Sequence, residues 1–273
     1  MSVAAYSAGA KLSVPKHGKL YWSLADTLVV AKRQILHTLR EPEQLAGLTI
    51  MPILFIALFR YVFGGAIHVT GMNYANYLLP GIFAQNAIFS ALDSAPGFAN
   101  DLQKGVIDRF RSLPMTPWAF IAGRTVADLL RNIFLTLVMI GIGLVVGFRP
   151  QGNPARWVLA GVVMLGISFT VSWLGAALGL WLRNPEAANT FGMAFAFPLS
   201  FASSVMVPTS TMPSWLQGFV RHQPITLAAN SVRALFLNQP VGADLWQALA
   251  WFVGILAVFM FITVRLYRRL GTH

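Results

Sequence analysis

The stretch Asn100-Asp101-Leu102-Gln103-Lys104-Gly105-Val106-Ile107-Asp108-Arg109-Phe110-Arg111-Ser112-Leu113-Pro114-Met115-Thr116-Pro117 decides how the chain is read. It is a short charged insert between two long apolar runs. Leu102, Val106, Ile107 and Phe110 fall at helical spacing on one face. Asn100 and Asp101 stand where helix caps are expected, Gly105 weakens the helix, and Pro114 and Pro117 stop it. A membrane span has no use for such a segment, whereas four apolar residues on a short polar insert need something to bury against. The plainer reading is a basic loop with a fortuitous apolar side.

The rest of the chain explains why the insert stands out. Of 273 residues, 56% are hydrophobic and 11% charged, against about 25% charged in a soluble domain. So few charges cannot cover a solvated surface, so an integral membrane protein is expected. Six apolar runs, at 45–65, 76–99, 118–148, 157–181, 187–207 and 246–266, reach or approach the roughly 20 helical residues that cross a bilayer. They lack strand alternation and are too long for barrel strands. The expected fold is an all-α membrane protein with six transmembrane helices. The third run is overlong. Arg124, Asp128 and Arg131 sit in its first half, so it enters the bilayer near Ile133.

The net charge of +11 invites a nucleic-acid reading, but the positions of the charges give a better one. Fifteen of the twenty Lys and Arg residues fall before the first run, between the second and third, between the fourth and fifth, or after the sixth. Arg60, Arg149, Arg156, Arg221 and Arg233 fall on the other side. Basic residues stay inside, so both termini are expected in the cytoplasm, and no nucleic-acid partner is needed. Trp118, Trp157, Trp181 and Trp246 mark span ends, while Trp173 and Trp251 fall inside spans.

Two further segments are neither span nor simple loop. Over residues 20–40, Leu20, Leu24, Leu28, Ala31, Ile35 and Leu39 recur at steps of three and four, and the other faces carry Lys32, Arg33 and Arg40. That is an amphipathic helix on the inner leaflet, or an ordinary juxtamembrane helix. Residues 208–240 are cut by Pro208, Pro213 and Pro224 into pieces too short to cross. They read as a re-entrant pair on the outer side or as a folded external loop. Residues 1–19 hold three lysines without an apolar core, so a loosely ordered tail is expected and a cleavable signal is not. Residues 20–273 form one membrane domain.

Chemistry is sparse. No lysine stands in a Gly-x-x-x-x-Gly-Lys-[Ser/Thr] phosphate loop, so the chain is not expected to hydrolyse ATP. Cysteine is absent and the five histidines are scattered, so no metal site is expected. Asp93 lies deep in the second run. Either it lines a polar route with Gln85, Asn86, Ser90 and Ser94, or it pairs with Arg124 or Arg131 to fix packing. Pro52, Pro80, Pro96 and Pro198 read as tolerated kinks.

Several stretches carry a family resemblance. Gly105-Val106-Ile107-Asp108-Arg109-Phe110-Arg111-Ser112-Leu113-Pro114 is similar to the Gly-x-x-(Asp/Glu)-Arg-(Leu/Phe)-(Arg/Lys)-(Ser/Thr)-Leu-Pro pattern of ABC type-2 transporter permeases. Leu78 to Gln85, Ala122 to Asp128, Phe197 to Ser204, Met212-Pro213 with Trp215-Leu216, and Val264 to Arg269 resemble further parts of that family in order and spacing. The nearest resemblance is to membrane subunits of daunorubicin/doxorubicin-type exporters. It implies a permease without its own ATP site that moves an amphipathic drug, lipid or polyketide-like molecule out of the cytoplasm or inner leaflet of a bacterial plasma membrane. ATP and Mg would belong to two partner ATPase subunits, and a second permease copy or a paralogue would complete the complex. The coupling helix would carry Asp101, Gly105, Ile107, Arg109, Phe110, Arg111, Leu113 and Pro114, with Ile107, Phe110 and Leu113 docking into the ATPase. The connecting helix would use Leu24, Leu28, Arg33 and Ile35. Candidate route residues are Phe83, Asn86, Asp93, Phe191, Met193 and Phe197. A membrane-embedded transferase would need clustered acids, bases or metal ligands, which the sequence lacks. A non-transporting anchor for a cytoplasmic protein is the other alternative.

The expected orientation has a direct test. Because the chain has no native cysteine, single cysteines at positions 17 and 272 should resist an impermeant thiol reagent in intact cells and react after permeabilisation. Labelling in intact cells would invert the topology.

Overall fold

A computed structural model describes residues 27–33, 36, 42–65, 67, 69, 71–111 and 119–269. The described residues contain no strand. The helices are α1 (residues 27–33), α2 (Pro42–Ala57, continued by a π-helical turn Leu58–Val62), α3 (Tyr74–Leu92), α4 (Ser94–Gln103), α5 (Val106–Arg111), α6 (Ala119–Val146), α7 (Pro154–Leu182), α8 (Pro185–Phe201), α9 (Ser214–His222), α10 (Pro224–Phe236) and α11 (Ala243–Arg269). Three of them, α6, α7 and α11, are long and apolar enough to cross a membrane outright. α2, α3 and α8 are shorter than a full crossing. The second and fifth expected spans are both interrupted: α3 stops at Leu92 with Asp93 at the break, and α8 stops at Phe201 rather than near 207.

Helix starts follow from local chemistry. Asn73, Asn153 and Asn184 each turn a side-chain oxygen onto a free backbone N–H, at 3.0, 2.9 and 2.9 Å for Ala75, Arg156 and Glu186. Pro154 and Pro185 follow two of these caps, where a missing N–H costs nothing. Arg183, in the left-handed region at φ 55°, ends α7. The short reversal at Arg183–Asn184 makes α7 and α8 antiparallel neighbours.

The core sits where α3 meets α7 and α10. Leu78, Leu79 and Phe83 of α3 pack with Met164 and Ile167 of α7 and with Val232, Leu235 and Phe236 of α10. Phe83, Phe148 and Phe236 meet edge to face at centroid separations of 5.7 to 6.1 Å. α4 lies against α7 through Gly175 and Gly179. A Cβ on Gly179 would sit 2.9 Å from the Phe98 Cβ, so the two backbones approach as only small residues allow. The outward faces are apolar: Leu137 and Val145 on α6 and Val253 and Phe261 on α11 are largely exposed. Water would not tolerate such a girdle, whereas lipid would. Trp181 and Trp246 are exposed near helix ends, and Trp173 is buried, as their positions in the runs suggest.

Two ends can be told apart. At one, the α6–α7 connection is tied down: Gln151 and Gly152 donate to the Phe236 carbonyl at 2.9 Å, and the Arg149 N–H reaches Asn76. At the other, Val30, Ile107 and Tyr267 share one cluster, so α1 and the end of α11 lie together.

Residues 208–240 do not form a plain external loop. Ten of the thirteen α10 residues are buried, and α10 packs among α3, α7 and α11, whereas α9 lies at the surface with Trp215 and Phe219 exposed. Arg233 of α10 is buried and was missed by charge counting. Its Nε donates to the Tyr77 carbonyl (2.9 Å), its Nη2 to the Ser204 carbonyl (2.9 Å) and its Nη1 to Asn230 (2.8 Å), and its guanidinium lies 3.7 Å from the Tyr77 ring centroid. Asn230 in turn donates to Asp244 at 3.0 Å. The guanidinium thus joins the start of α3, the unwound turn after α8, α10 and the start of α11. Arg233→Met removes three charge-assisted bonds and the ring contact, a loss of about 2 kcal/mol or more. The unfolding midpoint in detergent should fall by about 4–8 °C, while Arg221→Met on exposed α9 should leave it unchanged.

Candidate coupling surface and cleft

At the end that holds Val30 and Tyr267, the expected single helix over 101–113 is two pieces. Asp101 is not a cap: it lies inside α4, which runs on to Gln103. The chain then turns at Lys104 and Gly105, whose N–H groups reach back to the carbonyls of Asn100 (3.0 Å) and Leu102 (3.1 Å). Gly105 has φ +63°, a conformation that other residues adopt only at a cost, so the glycine that weakens a continuous helix is the one that permits this corner. α5 begins immediately after it.

Ile107 is fully buried in this chain's own cluster, with Val30, Phe98, Phe120, Ile121 and Leu180. Docking of Ile107 into a partner is therefore corrected: the side chain anchors α5 to its own bundle. Arg109 lies exposed on the far side. Phe110 and Arg111 belong to α5, but their side chains, with Leu113 and Pro114, lie outside the described residues.

Asp101 forms an ion pair with Arg124 of α6, whose guanidinium also lies 4.8 Å from the Phe98 ring centroid. Arg131 pairs with Asp128 at 3.5 Å. The pairing of Asp93 with Arg124 or Arg131 is thus not what forms: both arginines are engaged by other carboxylates. A helix-end charge close to a basic helix start was the available signal, but a continuous second span hid it.

α1 is rotated relative to expectation. Val30 and Ala31 are buried while Leu28 and Arg33 are exposed. The cause is Gly123 on α6, where an added Cβ would come within 2.6 Å of the Val30 Cβ; α1 crosses at that notch and seats Val30 in it. Leu28 faces outward. Leu24 and Ile35 lie outside the described residues, as does the tail over 1–19.

Four of the six route candidates meet. α2, α3 and α8 enclose a cleft of about 240 Å³ whose lining includes Asn86, Asp93, Met193 and Phe197 together with Met51, Phe55, Gln85 and Phe89. Phe89 and Phe197 touch edge to face at 5.3 Å across α3 and α8. Gln85 donates to the Ser200 hydroxyl at 2.5 Å and holds the same two helices together. Two candidates are corrected. Phe83 points to the opposite side of α3 and is spent in the aromatic core. Phe191 lines a separate apolar groove of about 620 Å³ with Trp181, Phe195, Phe252 and Phe259. Helical spacing explains both: Phe83 and Asn86 are three apart but straddle the face boundary, as do Phe191 and Met193, two apart.

A bundle of apolar helices, a charged corner at its basic end and a cleft between its shorter helices form one arrangement, and comparison with known proteins identifies it. Residues 25–237 match the family model described as ABC-2 type transporter. The chain belongs to the ABC-2 type transporter family. It is 34% identical over 251 residues (92% of this chain, 89% of the relative) to the daunorubicin resistance ABC transporter permease protein DrrB1 of Streptomyces coeruleorubidus. It is 28% identical over 256 residues (92% and 91%) to the Probable doxorubicin resistance ABC transporter permease protein DrrC of Mycobacterium tuberculosis. A third relative, the doxorubicin resistance ABC transporter permease protein DrrB of the same organism, is 28% identical over 192 residues (67% and 66%). This ABC-2 permease is accordingly a multi-pass membrane protein and the membrane permease subunit of an ABC exporter.

The inward direction of Ile107 separates anchoring from docking. Ile107→Ala should cost about 2–4 kcal/mol, as for other large-to-small core changes, and reduce the folded fraction seen by size-exclusion chromatography after mild heating. Arg109→Ala should not. Equal behaviour of the two variants would mean that Ile107 is not part of the fold.

Proposed function

We propose that this permease exports an apolar or amphipathic molecule by transmitting a push from two separate ATP-hydrolysing subunits to the cleft between α2, α3 and α8. ATP and Mg are bound by those subunits, and a second permease, identical or paralogous, completes the conduit. Asp101, Gly105, Arg109, Phe110, Arg111, Leu113 and Pro114 make up the coupling region, with Ile107 as its internal anchor. Both termini are cytoplasmic, and the membrane is a bacterial plasma membrane. Residues 20–273 act as one transport domain with six crossings, and α9 and α10 dip in from outside.

What carries this proposal is α4. It begins at Asp93, on the cleft, and ends at Gln103, one turn before α5. Its ten residues are a rod of about 15 Å at 1.5 Å per residue. The Asp101–Arg124 pair ties its far end to α6, and α7 and α8 flank it. A force on α5 therefore reaches the Asp93 break through one short rigid element, and the break is where α3 and α4 can change their mutual angle. α8 forms the other wall of the cleft, so the same displacement of α4 alters the cleft's width.

The permease should co-purify with its ATPase, and the complex in liposomes should show hydrolysis stimulated by transported substrate. The triple variant Arg109→Ala, Phe110→Ala, Arg111→Ala should insert normally, because none of the three lies in a span. Truncating an interface anchor typically costs about 2 kcal/mol or more, so complex yield should fall by about tenfold or more. Normal assembly and transport in that variant would remove α5 from the coupling surface.

A further inference from the structure

We propose that the cleft between α2, α3 and α8 takes an organic cation, its apolar body held by Phe55, Phe89, Phe197 and Met193 and its positive centre by the Asp93 carboxylate. This rests on the cleft being the transport route and adds the charge of what travels through it.

Three observations carry it. The first is that Asp93 has no hydrogen-bonded or ion-paired partner among the described residues. It occupies the first capping position of α4, yet its side chain caps nothing. The two charged groups that act on it are Arg131 and Asp128 of α6, and these are engaged with each other at 3.5 Å. The second is the balance of charge at this level of the bundle. Among the carboxylates Asp93, Asp101 and Asp128, the ion pairs to Arg124 and Arg131 leave one negative charge unpaired. Asp93, which carries it, is the member that lines the cleft. A carboxylate in a largely apolar cleft is costly unless a counter-charge meets it, and a cation entering the cleft supplies one.

The third is the rest of the lining. An aromatic ring attracts cations and repels anions over its negative face. Phe55 of α2 and the Phe89–Phe197 pair of α3 and α8 line the same cleft as Asp93, and Met51 and Met193 complete the walls. Apart from Asp93, the polar side chains of the lining are the neutral amides Gln85 and Asn86. No described basic residue lines the cleft, although the chain as a whole is strongly basic.

Tetraphenylphosphonium and tetraphenylborate have the same shape and opposite charge, so they separate charge from fit. Binding of each to the full chain in lipid nanodiscs should be compared with binding to empty nanodiscs. The wild type should prefer the phosphonium, even though a protein of net charge +11 would by itself favour the borate. Asp93→Asn should weaken phosphonium binding by about tenfold, as expected for losing the opposite charge beside the cation, and leave the borate unchanged or better bound. Asp93→Glu should restore the preference, and Phe197→Ala should weaken both ions. If Asp93→Asn keeps the wild-type preference, the proposal is overturned. If both ions bind the wild type equally and Phe197→Ala weakens both, the cleft is an apolar route without charge selection, and only this inference falls. If neither ion binds above empty nanodiscs, the cleft is no ligand site, and the route falls with it. Should Asp93→Asn not fold, the comparison of the two ions on the wild type still decides.

Discussion

Hydrocarbon offers no water to a bare carbonyl, so a chain in the bilayer leaves helical geometry only where something else satisfies its backbone. This constraint organises the permease. After α8 the chain unwinds through residues 202–207, and the freed groups find partners at once. Tyr77 and Arg233 donate to the Ser204 carbonyl, Tyr74 donates to that of Met206, and the Thr226 hydroxyl accepts from the Ser204 N–H at 3.1 Å. Gln223 reaches the carbonyls of Leu199 and Ala202. A guanidinium has five donors and a planar fork, so one side chain serves several elements where a lysine would serve fewer. α10 is held at bundle depth by these bonds and by the Phe148–Phe236 cluster.

The same constraint makes the interruption at Asp93 informative. One continuous second span would have been simpler. Instead α3 ends at Leu92, Ser94 donates back to the Ala91 carbonyl at 2.6 Å, and α4 departs as a separate short helix. The break costs little backbone hydrogen bonding because the serine covers it, and it creates a joint at the level of the cleft. At its other end α4 meets the Gly105 corner. An element with a joint at each end, a charged tie to α6 and a close fit to α7 is suited to carrying displacement between surfaces that are far apart in sequence.

Much of this was legible in the sequence. The apolar runs, the overlong third helix and the proline-cut segment after α8 all follow from composition, punctuation and helical period. The cuts at Pro213 and Pro224 fall at the starts of α9 and α10. The partition of side chains between neighbours was not legible. Period 3.6 says which residues share a stripe, but it does not say what the stripe meets. Ile107 reads as a docking residue until Val30 and Phe98 are seen around it. Phe83 reads as lining until Phe148 and Phe236 take it. α1 is turned from its expected face by a single notch at Gly123, a tertiary feature with no local signature. Arg233 sits in a stretch otherwise rich in apolar residues, Ile225 to Phe236, and that isolation was the signal for a buried charge.

The fit of α4 to α7 has a mechanical consequence. Side chains on two ordinary helices interlock as ridges in grooves, so sliding one along the other by a turn means lifting every ridge over the next. At Gly175 and Gly179 the α7 ridge is missing, and the opposing surface is backbone with the small Ala91, Ser94 and Ala95 beside Phe98. Pulling the helices apart forfeits the dispersion contacts of a close approach, whereas moving along the axis meets few obstacles. The contact is stiff across and slippery along, like a bearing, so α4 is guided along its own axis as the angle at the Asp93 break changes.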